Sequence, residues 1–301
     1  MKNIKIFVMS LVAALLVSCG TTNTVPITGR KQNLMVSDGE ILTLSTQQYQ
    51  EFMKTAKLST NATNTALVKR VGTNLANAVV NFLNTNGMQN DVQNYQWTFN
   101  LVADKQANAW CMPGGLIVVY EGILPITQDE ASLAIVLGHE IAHAVARHSA
   151  EQMSTKIKQQ YGVQGLGALA SILGVGSNTV ALGQAAASYG LNFANLKYSR
   201  DNENEADHLG LIFAAMAGYD PNVAVKFWER MSAASGNKST AEFLSDHPSD
   251  ATRIKNIQGW LPEALKYYKP KTTTTTKKTT TTKKSTTKKT TTKKTSTKKS
   301  K

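Results

Sequence analysis

The chain has 301 residues, 42% of them apolar, enough for one large or two small domains with a sizeable core. Its formal net charge of +13 invites a nucleic-acid reading, which the placement of the charge excludes. Residues 271–301 hold 12 of the 33 lysines and arginines and no acid; leaving them and Lys2 and Lys5 aside, 19 basic residues face 20 acidic ones. The body is near neutral, and no nucleic-acid partner is expected.

In chain order, Met1, Lys2 and Lys5 form a positive start, followed by a mostly apolar stretch from Ile6 to Val17. That stretch is too short for a folded membrane span and reads as an export signal. Leu16-Val17-Ser18-Cys19 resembles a bacterial lipobox, in which cleavage leaves Cys19 as a lipidated N-terminus; two or more acyl chains would anchor it stably. Gly20 in place of an aspartate favours the outer membrane, with the protein facing the periplasm. Cys111 then has no intramolecular partner and reads as a small buried apolar residue.

Residues 20–38 are polar and read as a tether. Helical periodicity covers 39–58 and 63–85, the latter through Leu67, Val71, Leu75, Ala78 and Val79. Strands follow at 96–102 and 116–120, with Pro113-Gly114-Gly115 as a turn between them. Thr127 and Glu130 have capping-box spacing, which opens a helix through about Met153. Residues 160–190 are rich in Gly, Ala and Ser and read as weak helices or as a mobile lid over a cleft. A helix from about Ser199 to Ala217 ends at Gly218, and Asp220-Pro221 starts the next one, which carries Phe227, Trp228 and Met231. Beyond Pro270 the sequence contains only Thr, Lys and Ser and nothing apolar to order it.

His139-Glu140-Ile141-Ala142-His143 is an H-E-x-x-H motif in a helical segment. A spacing of four stacks both imidazoles on one face, where they reach a single ion, with Glu140 beside them to accept a proton from water. Gly138 permits close backbone approach. A catalytic zinc takes three protein ligands and keeps one position open. A histidine ten residues after His139 would serve, but Ser149 stands there. His148, half a turn round the helix, reads as a solvated or helix-end histidine. Downstream, Glu203 and Asp207 are four apart and share a face; one can bind the metal while the other orients a ligand histidine. Glu205 points elsewhere and reads as a surface charge.

H-E-x-x-H followed by S-R-x-x-E-x-x-A-D at Ser199–Asp207 resembles the zinc metallopeptidase family of HtpX-like and BepA-like proteins, with Oma and CAAX prenyl protease relatives. Three more segments fit: Thr28-Gly29-Arg30-Lys31-Gln32, the stretch from Asn108 to Gly115, and His247-Pro248 with Arg253-Ile254. The resemblance spans about residues 25–265, with five motifs in order. It implies His139, His143 and Glu203 as zinc ligands, Glu140 as base and Asp207 holding a ligand histidine. It also implies an α+β fold of gluzincin type, mainly helical, with a small sheet beside the active-site helix. With no run of transmembrane helices the chain resembles the soluble bacterial lipoprotein branch, and it lacks the helical repeats that follow the catalytic domain in BepA-like chains. The expected organisation is a signal peptide (1–18), a tether (19–38), the peptidase domain (39–268) and a Thr/Lys-rich tail (269–301).

The expected chemistry is zinc-dependent hydrolysis of peptide bonds in protein substrates, misfolded or unassembled envelope proteins among them. The strand Asn108, Ala109, Trp110 and Cys111 is the candidate to pair with an extended substrate backbone. His247 is a candidate catalytic residue: it can stabilise the oxyanion, occupy the open zinc position and hold the enzyme latent, or serve structurally before Pro248. Two rival readings are a non-proteolytic chaperone-like lipoprotein and an envelope-binding adaptor whose tail contacts anionic polymers.

Overall fold

The computed structural model describes residues 21–161, 192–234, 241–247 and 251–270. The export segment with Cys19, most of the Gly/Ala/Ser-rich stretch and the Thr/Lys tail lie outside the described residues.

The polar segment read as a tether is folded instead. Strands β1 (Thr21–Thr24) and β2 (Lys31–Leu34) pair antiparallel, Thr21 opposite Leu34, through a turn with Gly29 at φ 69°. A few apolar residues suffice to dock this hairpin, because Val25, Leu34 and Val36 are all buried and Gln32 donates to the Ala146 carbonyl at 2.7 Å. Helix α1 (Asp38–Thr55) follows, opened by a capping box in which Ser37 and Glu40 satisfy each other's backbone N–H. Helix α2 (Ala62–Thr85) buries Val68, Val71, Leu75, Val79 and Leu83, the stripe that its 3.6-residue period dictates.

Strands β3 (Thr98–Val102), β4 (Ala109–Met112) and β5 (Leu116–Tyr120) form a sheet ordered β3-β5-β4, with β3 parallel and β4 antiparallel to β5. Alternation sorts β5 between two cores: Ile117 and Val119 face one, Leu116 and Val118 the other. Both faces are covered, so the strand reads as a continuous apolar run.

Helix α3 (Glu130–Val145) is buried on every side from Ser132 onward. Two expectations about it need correction. Its N-cap is Asp129, whose side chain accepts from Ser132 N at 2.7 Å, whereas Thr127 ends a separate single turn, Leu124–Thr127. The helix also stops at Val145 instead of running to Met153. Arg147 turns into the left-handed region at φ 53°, held there by Asp38 at 2.9 Å and Asp91 at 3.0 Å, and helix α4 (His148–Tyr161) starts in a new direction. Ion pairs from distant segments thus override the local helical propensity.

Helix α5 (Arg200–Met216) is capped by Ser199 and closed by Gly218 at φ 81°, as its sequence signals require. Helix α6 (Val223–Ala233) begins two residues after Pro221, because the Asp220 carboxylate is spent on a turn, accepting from Asn222 N at 2.9 Å. Helices α7 (Ala241–Asp246) and α8 (Ala251–Tyr267) complete the described chain. Among the described residues no helix is long and apolar enough to cross a membrane. The architecture is α+β, mainly helical, with α3 packed between the sheet and α5.

Candidate metal centre

Two helices set the site. Helix α3 presents His139 and His143 one turn apart, and α5 presents Glu203 in its first turn and Asp207 one turn later. The Ser199 hydroxyl accepts from Asn202 N at 3.1 Å, which fixes where α5 starts and therefore where Glu203 lies. His247 follows α7 immediately, its ring against Phe243.

The Nε2 atoms of His139 and His143 are 3.0 Å apart, and Glu203 lies 3.4 Å from the first and 3.3 Å from the second. Nδ1 of His247 is 3.1 Å from His139 Nε2 and 3.1 Å from Glu203 Oε2. These four buried residues each offer one ligating atom, all within 4.8 Å of one another. Tetrahedral zinc ligands at about 2.0–2.1 Å stand about 3.3 Å from each other, so this nitrogen and oxygen set has the chemistry and spacing zinc takes.

The electrostatics separate the roles of the two glutamates. Burial pushes the Glu203 carboxyl up, but His247 and His139 win and hold it well below the usual range. Burial raises the pKa of Glu140, and its Oε1 has no hydrogen-bond partner; His247 Nε2 lies 3.5 Å from it. Burial alone would lower His139, yet Glu203 and Asp207 bring it up to about 9. For His143 burial prevails, and its pKa falls well below the ordinary value.

Both histidines are held from behind. His139 Nδ1 meets Asp207 Oδ1 at 2.8 Å, and Arg253 grips that carboxylate with two hydrogen bonds of 2.7 Å while lying over the Trp228 ring. His143 Nδ1 meets His148 Nδ1 at 2.9 Å, and His148 Nε2 meets Glu205 Oε2 at 3.0 Å. His148 and Glu205 are therefore not the solvated residues expected; their relative exposures are 0% and 7%. The half-turn offset assumed an unbroken helix, whereas the break at Arg147 swings His148 back against His143. Tyr198, which carried no sequence signal, stacks on the His143 ring with centroids 4.0 Å apart.

The candidate substrate strand is placed as an edge. Asn108 leads into β4, the outer strand beside α3, and Asn108, Ala109, Trp110 and Cys111 are all buried. Ala109 and Cys111 pack toward the core around α3, and Trp110 packs edge-on against Phe52 of α1. A short 3-10 turn, Phe193–Asn195, lies against this strand.

An H-E-x-x-H helix joined by a glutamate from a second helix, with a small sheet alongside, defines a metallopeptidase fold of the gluzincin type. The chain matches Peptidase family M48 over residues 48–261, and it belongs to that family. It is 41% identical over 171 residues to mitochondrial metalloendopeptidase OMA1 of Schizosaccharomyces pombe, covering 56% of this chain and 48% of that protein. It is 32% identical over 249 residues to metalloendopeptidase OMA1, mitochondrial, of Bos taurus, covering 80% of this chain and 46% of that one. It is 29% identical over 163 residues to the beta-barrel assembly-enhancing protease of Yersinia pestis, covering 53% and 33%. The chain spans half or less of the length of these relatives.

Proposed function

We propose that this protein is a zinc-dependent endopeptidase, with His139, His143 and Glu203 as ligands, Glu140 as general base and Asp207 holding His139. The observation that carries this reading is the buried three-histidine, one-glutamate cluster beside an unpartnered Glu140 oxygen. Zinc, when bound, supplies Lewis acidity toward the scissile carbonyl and toward water. Glu140 takes the proton of the attacking water and hands it to the leaving amine. Burial raises the pKa of this carboxyl, which makes it a stronger base toward the attacking water. The outer edge of β4 receives an extended substrate segment as an added strand. Asp207 and Arg253 keep the His139 ring oriented so that Nε2 faces His143 and Glu203, where it would hold the metal.

His247 occupies the fourth place in the cluster, the one a catalytic site keeps open. We infer from this position that His247 holds the site latent and leaves before substrate enters. His247→Ala is expected to raise turnover on an unfolded protein substrate. A fall would reassign His247 to oxyanion stabilisation, and no change would leave it a structural role before Pro248.

The setting we favour is the bacterial envelope, with an outer-membrane lipoprotein anchored at Cys19, facing the periplasm and acting on misfolded or unassembled envelope proteins. Leu16-Val17-Ser18-Cys19 and the similarity to a beta-barrel assembly-enhancing protease support it. The OMA1 relatives are named mitochondrial, so the lipobox carries the choice.

The central test is metal removal. Cleavage of casein or an unfolded outer-membrane protein is expected to stop on chelation and to return with stoichiometric zinc. Zinc-loaded protein that binds such substrates without cutting them would install the chaperone-like reading instead.

A further inference from the structure

The chemistry of the cluster leaves one motif unused, Thr28-Gly29-Arg30-Lys31-Gln32 of the N-terminal hairpin, which lies ahead of the family match at residues 48–261. Its side chains do not face solvent alone. Arg30 donates to Glu205 through Nε at 2.9 Å and through a terminal nitrogen at 2.7 Å, and it makes a two-pronged contact with Glu151 at 2.6 and 2.8 Å. Thr28 donates its hydroxyl to Glu205 Oε1 at 2.5 Å, and Gln32 reaches Glu151 at 2.8 Å. Glu205 in turn faces His148, and His148 faces His143.

The direction of these hydrogen bonds follows from donor and acceptor inventory. Glu205, bound to an arginine, is a carboxylate and only accepts, so the proton between it and His148 sits on His148 Nε2. A neutral His148 then presents a bare Nδ1, which accepts from His143 Nδ1–H. With its proton on Nδ1, His143 presents the Nε2 lone pair to the cluster, the atom that lies 3.0 Å from His139 Nε2 and 3.3 Å from Glu203.

We propose that Arg30, Glu205 and His148 form a positioning relay from the N-terminal hairpin that sets the tautomer and ring orientation of His143, making the hairpin part of the metal site. The relay is the counterpart, for His143, of the Asp207–Arg253 support behind His139. It rests on the reading of His143 as a zinc ligand.

The test measures zinc affinity by competition with a chromophoric chelator on the full chain, together with the visible spectrum of the cobalt-substituted protein. His148→Phe removes the acceptor and is expected to weaken zinc binding about 10- to 100-fold and shift the cobalt bands. Because His148 is fully buried and its replacement can unfold the chain, Arg30→Ala is the decisive variant: Arg30 is one-third exposed and lies outside the buried apolar core. It is expected to weaken zinc toward the lower end of that range of about 10-fold. Arg30→Lys should recover part of the loss, and Lys31→Ala in the same hairpin should bind zinc like the wild type. Wild-type zinc affinity and cobalt bands in Arg30→Ala, or equal losses in Lys31→Ala, would overturn the relay. Failure of the wild type itself to bind zinc would instead overturn the peptidase reading.

Discussion

Replacing Glu140 with Gln is expected to lower turnover about 10²- to 10⁴-fold with zinc content unchanged, the range a positioned general base supplies. The two effects separate because Glu140 is not one of the four residues whose ligating atoms cluster. Glutamine preserves shape and volume in a position only 3% exposed, so the fold survives. What disappears is the ability to take a proton: an amide oxygen accepts a hydrogen bond but holds no proton at neutral pH. The assay is peptide-bond cleavage per zinc, with metal content measured on the same sample. Full activity in Glu140→Gln would remove Glu140 from the mechanism, and lost activity accompanied by lost metal would make it a structural residue of the site.

The second large effect is expected from Gly210→Ala, a position that offers no chemical group to the site. A Cβ at Gly210 would lie 2.7 Å from His139 N and 2.9 Å from His139 Cα, and one at Gly138 would lie 2.7 Å from the Gly210 carbonyl oxygen. These are backbone contacts with no flexible side chain to yield, so α3 and α5 must separate. That separation costs about 1–3 kcal/mol as overpacking and also draws Glu203 away from the two histidines. Gly210→Ala is therefore expected to lose thermal stability in the metal-free protein and zinc affinity together. Gly259→Ala provides the control, since Gly259 lies within α8 with nothing within 4 Å of its added Cβ. There alanine should match or exceed the wild type, by up to about 1 kcal/mol from helix propensity. If Gly210→Ala melts and binds zinc as the wild type does, the glycine contact does not set the helix spacing.

The two substitutions mark different depths of legibility. Glu140 is apparent from five consecutive residues, because the helical period alone puts His139 and His143 on one face. Gly138 is suggestive for the same reason. Gly210 carries no signal in its own segment, since a glycine inside a helix reads as a weak point until its partner helix is known. Glu203 and Asp207 fall between these cases. Their spacing announces a shared face, and the upstream motif gives that face something to meet.

Arg147 shows why the rest was hidden. Residues 130–153 read as one helix, and on an unbroken helix His148 points away from His139. Asp38 and Asp91, far off in sequence, hold Arg147 at a positive φ and break the helix there, and the break buries His148 against His143. Glu205 changes with it, from an expected surface charge to a buried carboxylate whose pKa, raised by burial but lowered more by His148, Arg30 and Thr28, falls to about 2. The hairpin that supplies Arg30 is too polar to look folded and docks through three buried apolar residues and Gln32.

The sequence by itself therefore determined most of the main helices, the strands of the three-stranded sheet, the pair of histidines with their glutamate, and the face that Glu203 shares with Asp207. These depend on periods of two and 3.6 residues, which act over a few neighbours. Only the tertiary structure decided that His247 joins the cluster of His139, His143 and Glu203, that His148 and Glu205 stand behind His143, and that the N-terminal hairpin reaches them. Each of these depends on ion pairs and close backbone contacts between segments far apart in the chain, and no local pattern encodes which faces will meet.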